Sequence, residues 1–227
     1  MRPVICWRCW GVGALLLLVG CAGLPREESP GPVVDAAWQA RQQALASFTH
    51  WDLGGRVAVR AGDSGGTAHL RWRREGETAR IDLFGAFGGG KVRIWINPDG
   101  ARLRNHENAQ FSGDSAQQVL LEGTGWHIPF DHLGHWVRGL PGPGEAVDIE
   151  IDAGGRLARL SQSGWDINFS QYDRFNQREL PRKIALQAWP GTVQVMSKQG
   201  ENLGDILRVK LFIEYWNGPP VVGETAQ

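Results

Sequence analysis

The chain has 227 residues, 24 basic and 24 acidic side chains, and a formal net charge of zero. Such a balance lacks the basic footprint that nucleic-acid binding favours, and the length suits one substantial core rather than several domains. Eleven tryptophans beside two tyrosines make an unusual aromatic load.

Arg2 and Arg8 precede an apolar run from Gly11 to Gly20, centred on Leu15, Leu16, Leu17, Leu18 and Val19. The run is far shorter than the roughly 20 residues that cross a hydrocarbon core, so it reads as an export signal. Leu18-Val19-Gly20-Cys21 resembles the lipobox of bacterial lipoproteins. Small residues there admit the peptidase, and the Cys21 thiol is the atom that receives diacylglycerol. Residues 1–20 are therefore expected to leave as a signal peptide, taking Cys6 and Cys9 with them. The mature chain keeps only Cys21, its sulfur occupied by lipid, which leaves no disulfide and no thiol catalyst. Losing Arg2 and Arg8 leaves 22 basic against 24 acidic residues, a net charge of −2.

Residues 21–34 read as a flexible lipid-anchored linker, because Pro25, Pro30 and Pro32 among Gly, Ser and Glu disfavour helix and core. Asp35 then has the character of an N-cap. Behind it Trp38, Gln42, Leu45 and Phe48 fall at helical spacing and predict an amphipathic helix. From Trp51 the period becomes two. Leu53, Val57 and Val59 alternate with polar or small residues, as do Ala68, Leu70 and Trp72, then Ile81 and Leu83, then Val92, Ile94 and Ile96. Asp63-Ser64-Gly65-Gly66, Glu75-Gly76 and Pro98-Asp99-Gly100 punctuate them as hairpin turns. Asp114 caps a helix over Ser115 to Glu122, and Pro129 opens another with Phe130, Leu133, Trp136 and Val137 on one face. Strands resume at Val147–Ile151, Trp165–Phe169, Ile184–Leu186, Val193–Val195 and Leu207–Ile213. The pattern predicts a mainly β fold, a strongly curved antiparallel sheet or barrel with helices against one face. The folded domain is expected over 35–217, followed by a disordered tail over 218–227.

Three motifs tempt an enzymatic reading. Gly62-Asp63-Ser64-Gly65-Gly66 matches G-x-S-x-G, but a nucleophile elbow needs a strand before the serine and a helix after it. Here both neighbours are strands, and a Gly- and Asp-rich turn explains the same letters. Gly85-Ala86-Phe87-Gly88-Gly89-Gly90-Lys91 approaches a phosphate loop, yet Val92 stands where the hydroxyl should be and a strand follows. His127, His132 and His135 offer an i, i+3 pair without the further ligands of a zinc site. No catalytic, cofactor or metal site is expected.

With these elements placed, the chain resembles the LolB family of outer-membrane lipoprotein receptors over Trp38 to Trp216. Trp51-Asp52-Leu53-Gly54-Gly55-Arg56 matches its Trp-x-x-x-Gly-Arg entry to the first strand, and Leu70-Arg71-Trp72 its second strand. Gly85-Ala86-Phe87-Gly88 is similar to its Gly-Pro-Leu-Gly loop. The most specific stretch runs from Gly125-Trp126-His127-Ile128-Pro129 through Leu133 and Trp136 to Gly139-Leu140-Pro141-Gly142. Gly164-Trp165, Tyr172, Leu180-Pro181 and Trp216 complete the match. Phe87 replaces the family's leucine, Ala86 its proline, and Ser197 to Asp205 enlarge the last hairpin.

The resemblance implies an open antiparallel β-barrel of about ten to eleven strands, with a few α-helices covering an apolar cavity. It implies a monomeric receptor, anchored through Cys21 to the periplasmic face of the outer membrane. Ala22, unlike aspartate, is no inner-membrane retention signal. The receptor would take acylated lipoproteins from the periplasmic carrier LolA and pass them to outer-membrane lipid. Trp38, Trp72, Trp136, Trp165 and Trp216 would line the cavity, and Phe87 would tip a membrane-insertion loop. A packed core accounts for the same tryptophans. A lipid-binding or scaffolding lipoprotein outside that pathway is the alternative, and an esterase relying on Ser64 a more distant one.

Overall fold

The computed structural model describes residues 32–62, 64–85, 90–124, 128–193, 204 and 206–219. The expected signal segment, Cys21, Phe87 and nearly all of the hairpin at 197–205 lie outside them.

Helix α1 (Pro32–Ala46) leads into a meander of six strands: β1 (His50–Ala61), β2 (Ser64–Glu75), β3 (Thr78–Phe84), β4 (Lys91–Asn97), β5 (Gly100–Arg104) and β6 (Gln110–Gly113). Two short helices follow, α2 (Ala116–Thr124) and α3 (Phe130–Trp136). A second meander then returns: β7 (Ala146–Ile151), β8 (Leu157–Gln162), β9 (Trp165–Phe175), β10 (Arg178–Ala188) and β11 (Leu207–Asn217). All pairings are antiparallel, and β11 closes onto β1, giving one 11-stranded sheet in the order β6-β5-β4-β3-β2-β1-β11-β10-β9-β8-β7. The two end strands are β6 and β7, so the sheet is open there, and α2 and α3 are the chain that crosses between them.

Alternation makes the sheet two-faced. In β2, Ala68, Leu70 and Trp72 are buried while His69, Arg71 and Arg73 are exposed. Val209, Leu211 and Ile213 of β11 face the same core. Where β1 meets β11 the register shifts between Gly54 and Gly55. A Cβ on Gly55 would fall 2.0 Å from the Phe212 carbonyl oxygen, so only glycine lets the strands approach there. Such a bulge increases local bend and twist, which helps a sheet of this width wrap around its core.

The structure revises several local expectations. Helix α1 starts at Pro32, inside the expected linker, and Asp35 sits in its first turn instead of capping it. Proline suits a first helical position because its missing N–H is not needed there. Ser115, not Asp114, caps α2: its Oγ accepts from the Gln118 N–H at 3.1 Å, and Gln118 Oε1 accepts from the Asp114 N–H at 3.2 Å. Strands β5, β6 and β8 were not marked by alternation, being short or rich in arginine. Val193 is buried but lies in no strand, and Val195 is outside the described residues. At the C-terminus Gly218 still packs on Phe48, and the Pro219 carbonyl accepts from Arg178 Nη1 at 2.6 Å.

Candidate functional site: an apolar cavity under a helical roof

Helix α3 is held over the sheet by one buried amide. Gln162, fully buried at the end of β8, accepts through Oε1 from Trp136 Nε1 at 3.0 Å and from the Gly142 N–H at 2.8 Å. Its Nε2 donates to the Gly142 carbonyl at 3.0 Å. The indole of α3 and the Gly139-Leu140-Pro141-Gly142 turn are thereby pinned to the same strand end. A second clamp is Arg138, also buried. Its Nη1 donates to the Leu45 and Phe48 carbonyls at 2.9 and 3.0 Å, and its Nε to the Gly134 carbonyl at 2.8 Å. The end of α1 is thus tied to α3, with the cation at a helix C-terminus where the backbone dipole favours it. Burial, then the charge of Arg74, lowers the Arg138 pKa to about 10.

Between roof and sheet lies a cavity of about 100 Å³. Trp72, Ile94, Trp165, Val209 and Leu211 form its floor, and Leu120, Phe130, Leu133 and Trp136 its roof. Gly66 and Thr67 also line it, and among the described residues no charged side chain does. Trp72 stacks edge-on to Trp51 at 5.1 Å and meets Phe130 of the roof at 5.3 Å. Dry apolar cavities of about 150 Å³ hold a benzene ring, so this space is of the order of one ring.

Of the five tryptophans singled out in the sequence, Trp72, Trp136 and Trp165 line the cavity. Trp38 and Trp216 are not among its lining residues. Trp216 pairs with Leu53 at the far end of β11, packs on Phe48 and Trp51, and directs Nε1 to the Pro181 carbonyl at 3.4 Å. The cavity uses the opposite half of that strand. Trp38 belongs to α1, which docks at Gly155 and beside Tyr172 and Glu179, where Arg41 donates to the Glu179 carbonyl at 2.6 Å. Ala68, Leu133 and Ile128 are lining residues the sequence did not mark as such. The signals for Ala68 and Leu133 were alternation in β2 and the shared face of α3.

The histidines near the roof are engaged locally. His132 Nε2 lies 3.0 Å from the Pro143 carbonyl and 2.9 Å from Ser163 Oγ. Burial, followed by the charges of Arg138, Arg74 and His132, lowers the His135 pKa to about 4. In the unfolded chain an unperturbed histidine titrates near 6.5. Below that pH the unfolded state gains a proton that folded His135 refuses, so stability falls as pH drops from about 6.5 to about 4 and levels off beneath. Urea melts across this range are expected to show the loss, and His135→Gln to flatten it. An unchanged slope in that variant assigns the dependence elsewhere. His127 lies outside the described residues, as does Asp63 next to Ser64. Ser64 itself opens β2 in a strand–strand hairpin.

An open, strongly curved antiparallel sheet wrapped about an uncharged cavity, closed by two helices between its ends, defines a class of proteins with a roofed apolar pocket. Residues 49–216 match the family model described as outer membrane lipoprotein LolB. The chain belongs to the LolB family. It is 36% identical over 173 residues to the outer-membrane lipoprotein LolB of Stutzerimonas stutzeri, covering 76% of this chain and 84% of that one. With the protein of the same name from Nitrosococcus oceani it shares 35% over 204 residues, 89% of this chain and 93% of the relative. Among solved structures, a LolA superfamily protein from Nitrosomonas europaea aligns with a TM-score of 0.46 at 10% identity, covering 82% of this chain and 94% of that one.

Proposed function

We propose that this chain is an outer-membrane receptor that takes acylated lipoproteins from the periplasmic carrier LolA, shelters their acyl chains under the α2–α3 roof and inserts them into the outer membrane. The observation that carries the reading is a cavity with no charged lining residue among the described residues, in a chain of the LolB family. Each methylene buried is worth about 0.8 kcal/mol, so one chain of about 14 carbons costs on the order of 11 kcal/mol to expose. Cargo with several such chains needs an apolar shelter on both sides of every handover. Cys21 provides the anchor on the periplasmic face, and the body does its work by binding alone, with no covalent chemistry assigned to it.

The deciding experiment incubates the mature chain carrying Cys21→Ala with a carrier–lipoprotein complex in solution. Cargo is expected to leave the carrier and co-purify with the receptor. Retention of all cargo by the carrier rejects the reading.

The β3–β4 turn is the proposed route into the bilayer. Leu83 lines the cavity and is followed by Phe84, which is 39% exposed. The Gly85 N–H donates to the Gly90 carbonyl at 2.8 Å, closing the neck of the turn, with Gly85 at φ 74°. Phe87 lies between these two glycines in the sequence, outside the described residues. Phe87→Glu is expected to leave melting and cargo acceptance unchanged while lowering incorporation of bound lipoprotein into liposomes at least tenfold, a charge being costly to bury among acyl chains. Normal incorporation removes Phe87 from the mechanism and leaves the receptor assignment standing.

A further inference from the structure

The outward face of β2 to β5 gathers a charge that the whole-chain balance conceals. The strand registers place outward residues in rows across the sheet. One row runs Arg71, Asp82, Arg93, Arg104, and the next runs Arg73, Arg80, Trp95, Arg102. The row closest to the β3–β4 turn holds His69, Phe84 and Lys91. Two carboxylates serve this surface. Asp52 of β1 pairs with Arg71 at 3.0 Å and Arg73 at 3.2 Å. Buried Asp82 pairs with Arg80 at 2.9 Å, with Lys91 at 3.5 Å and with Arg93. Within these rows seven basic side chains stand beside two paired acids, in a mature chain that is slightly acidic overall, while Asp99 and Asp114 line a neighbouring cleft with Arg102 and Arg104. Among the described residues no carboxylate pairs with Arg102 or Arg104.

The face also has a shape. A cleft of about 180 Å³ is lined by Lys91, Arg93, Trp95, Arg104, Asn105 and His106. The guanidinium groups of Arg93 and Arg104 lie 5.4 and 5.8 Å from the Trp95 ring centre, so both are held towards one spot. Forked N–H donors and a lysine suit a phosphodiester oxygen. The cleft starts at Lys91, whose ammonium lies 4.7 Å from the ring centre of exposed Phe84 at the base of the turn. An aromatic beside cations is the pattern of residues that settle at a membrane interface.

We propose that this β2–β5 face docks on the anionic phospholipid headgroups of the membrane that carries the chain, bringing the exposed Phe84 ring to the headgroup boundary. The proposal deepens the receptor reading and rests on it. Charge complementarity selects the occupant, and the tether allows it: Cys21 and Pro32 are 11 positions apart, a span of at most about 40 Å when extended. A lipid anchor alone leaves the body free to tumble, whereas a basic face fixes which side meets the surface.

The test uses the mature chain with Cys21→Ala, so that no acyl anchor contributes, and vesicle flotation at low salt. Vesicles of phosphatidylglycerol and phosphatidylethanolamine are compared with neutral vesicles of phosphatidylcholine and phosphatidylethanolamine. Binding to the anionic vesicles is expected to exceed that to the neutral ones and to fade with salt as screening grows. Arg102→Gln combined with Arg104→Gln breaks no ion pair and is expected to weaken anionic-vesicle binding roughly 30-fold, about fivefold for each cation near the surface. Arg159→Gln with Arg174→Gln removes the same charge from β8 and β9 and is expected to leave binding within about threefold of the parent. Equal binding to both vesicle types overturns the proposal, as does an equal loss in the two double variants. If vesicle binding is unaffected and the Arg102/Arg104 variant instead fails to draw cargo from the carrier complex in vesicle-free solution, the face serves an acidic protein and the lipid proposal falls. A parent chain that floats with anionic vesicles yet never accepts lipoprotein refutes the receptor reading and leaves the docking face intact.

Discussion

Gln162→Leu is expected to destabilise the domain by about 4 kcal/mol, because one buried and one part-buried donor lose their acceptor at roughly 1–3 kcal/mol each. Leucine fills nearly the same space, so the loss reports unpaired hydrogen bonds and not a void. Trp136 Nε1–H and the Gly142 N–H are the orphans, and the Gly142 carbonyl loses its donor as well. For a domain of this size the melting temperature should drop by roughly 8–16 °C, read by near-ultraviolet circular dichroism, which reports the tryptophans. A fall of less than about 2 °C rejects the hub. Because Gln162 pins α3 to β8, the variant should also accept cargo less well at temperatures where it remains folded.

Ala68→Leu is expected to do the opposite, sparing the fold and disabling the site. Ala68 is buried on the inner face of β2 and lines the cavity beside Gly66 and Thr67. The three added carbons enter space of about 100 Å³ that no side chain fills. In a close-packed core such an enlargement costs about 1–3 kcal/mol; here the melting temperature should stay near that of the parent. Each acyl methylene kept out forfeits about 0.8 kcal/mol, so displacing three weakens cargo binding roughly 50-fold. Transfer from the carrier complex measures the loss. A large drop in melting temperature means the space is not available to ligand. Unchanged cargo uptake places the acyl chains elsewhere.

The structure also changes what charged replacements at the tryptophans can reveal. Trp165 is 1% exposed and Trp72 4%, so each is packed on its outer flank while it lines the cavity. A glutamate at either position strands an unpaired charge in apolar surroundings and unfolds the domain whatever the cavity holds. Core and lining are the same residues seen from two sides. Enlarging a small lining residue separates the two roles, which is why Ala68 is the sharper probe.

Much of this protein was determined by the sequence alone. Period-two alternation fixed which face of β1 to β4 and of β11 is apolar, because a strand turns successive side chains to opposite sides. Pro129 and the shared face of Phe130, Leu133 and Trp136 located α3, and the spaced Gly, Pro and Trp positions carried the family. Alternation does not say what an apolar face packs against, so it could not tell a filled core from a cavity. It also could not divide the five tryptophans into three that line the cavity and two that pack elsewhere. That division follows from which half of β11 lies under the roof and from α1 docking at Gly155 and Tyr172. Gln162, between two serines before a turn glycine, reads locally as loop polarity; only the approach of Trp136 from 26 residues away makes it a hub. The basic rows were hidden in the same way. Their arginines are scattered over 34 residues of a chain with balanced charge, and only the strand registers, fixed by turn geometry and by burial of the opposite face, bring them to one surface.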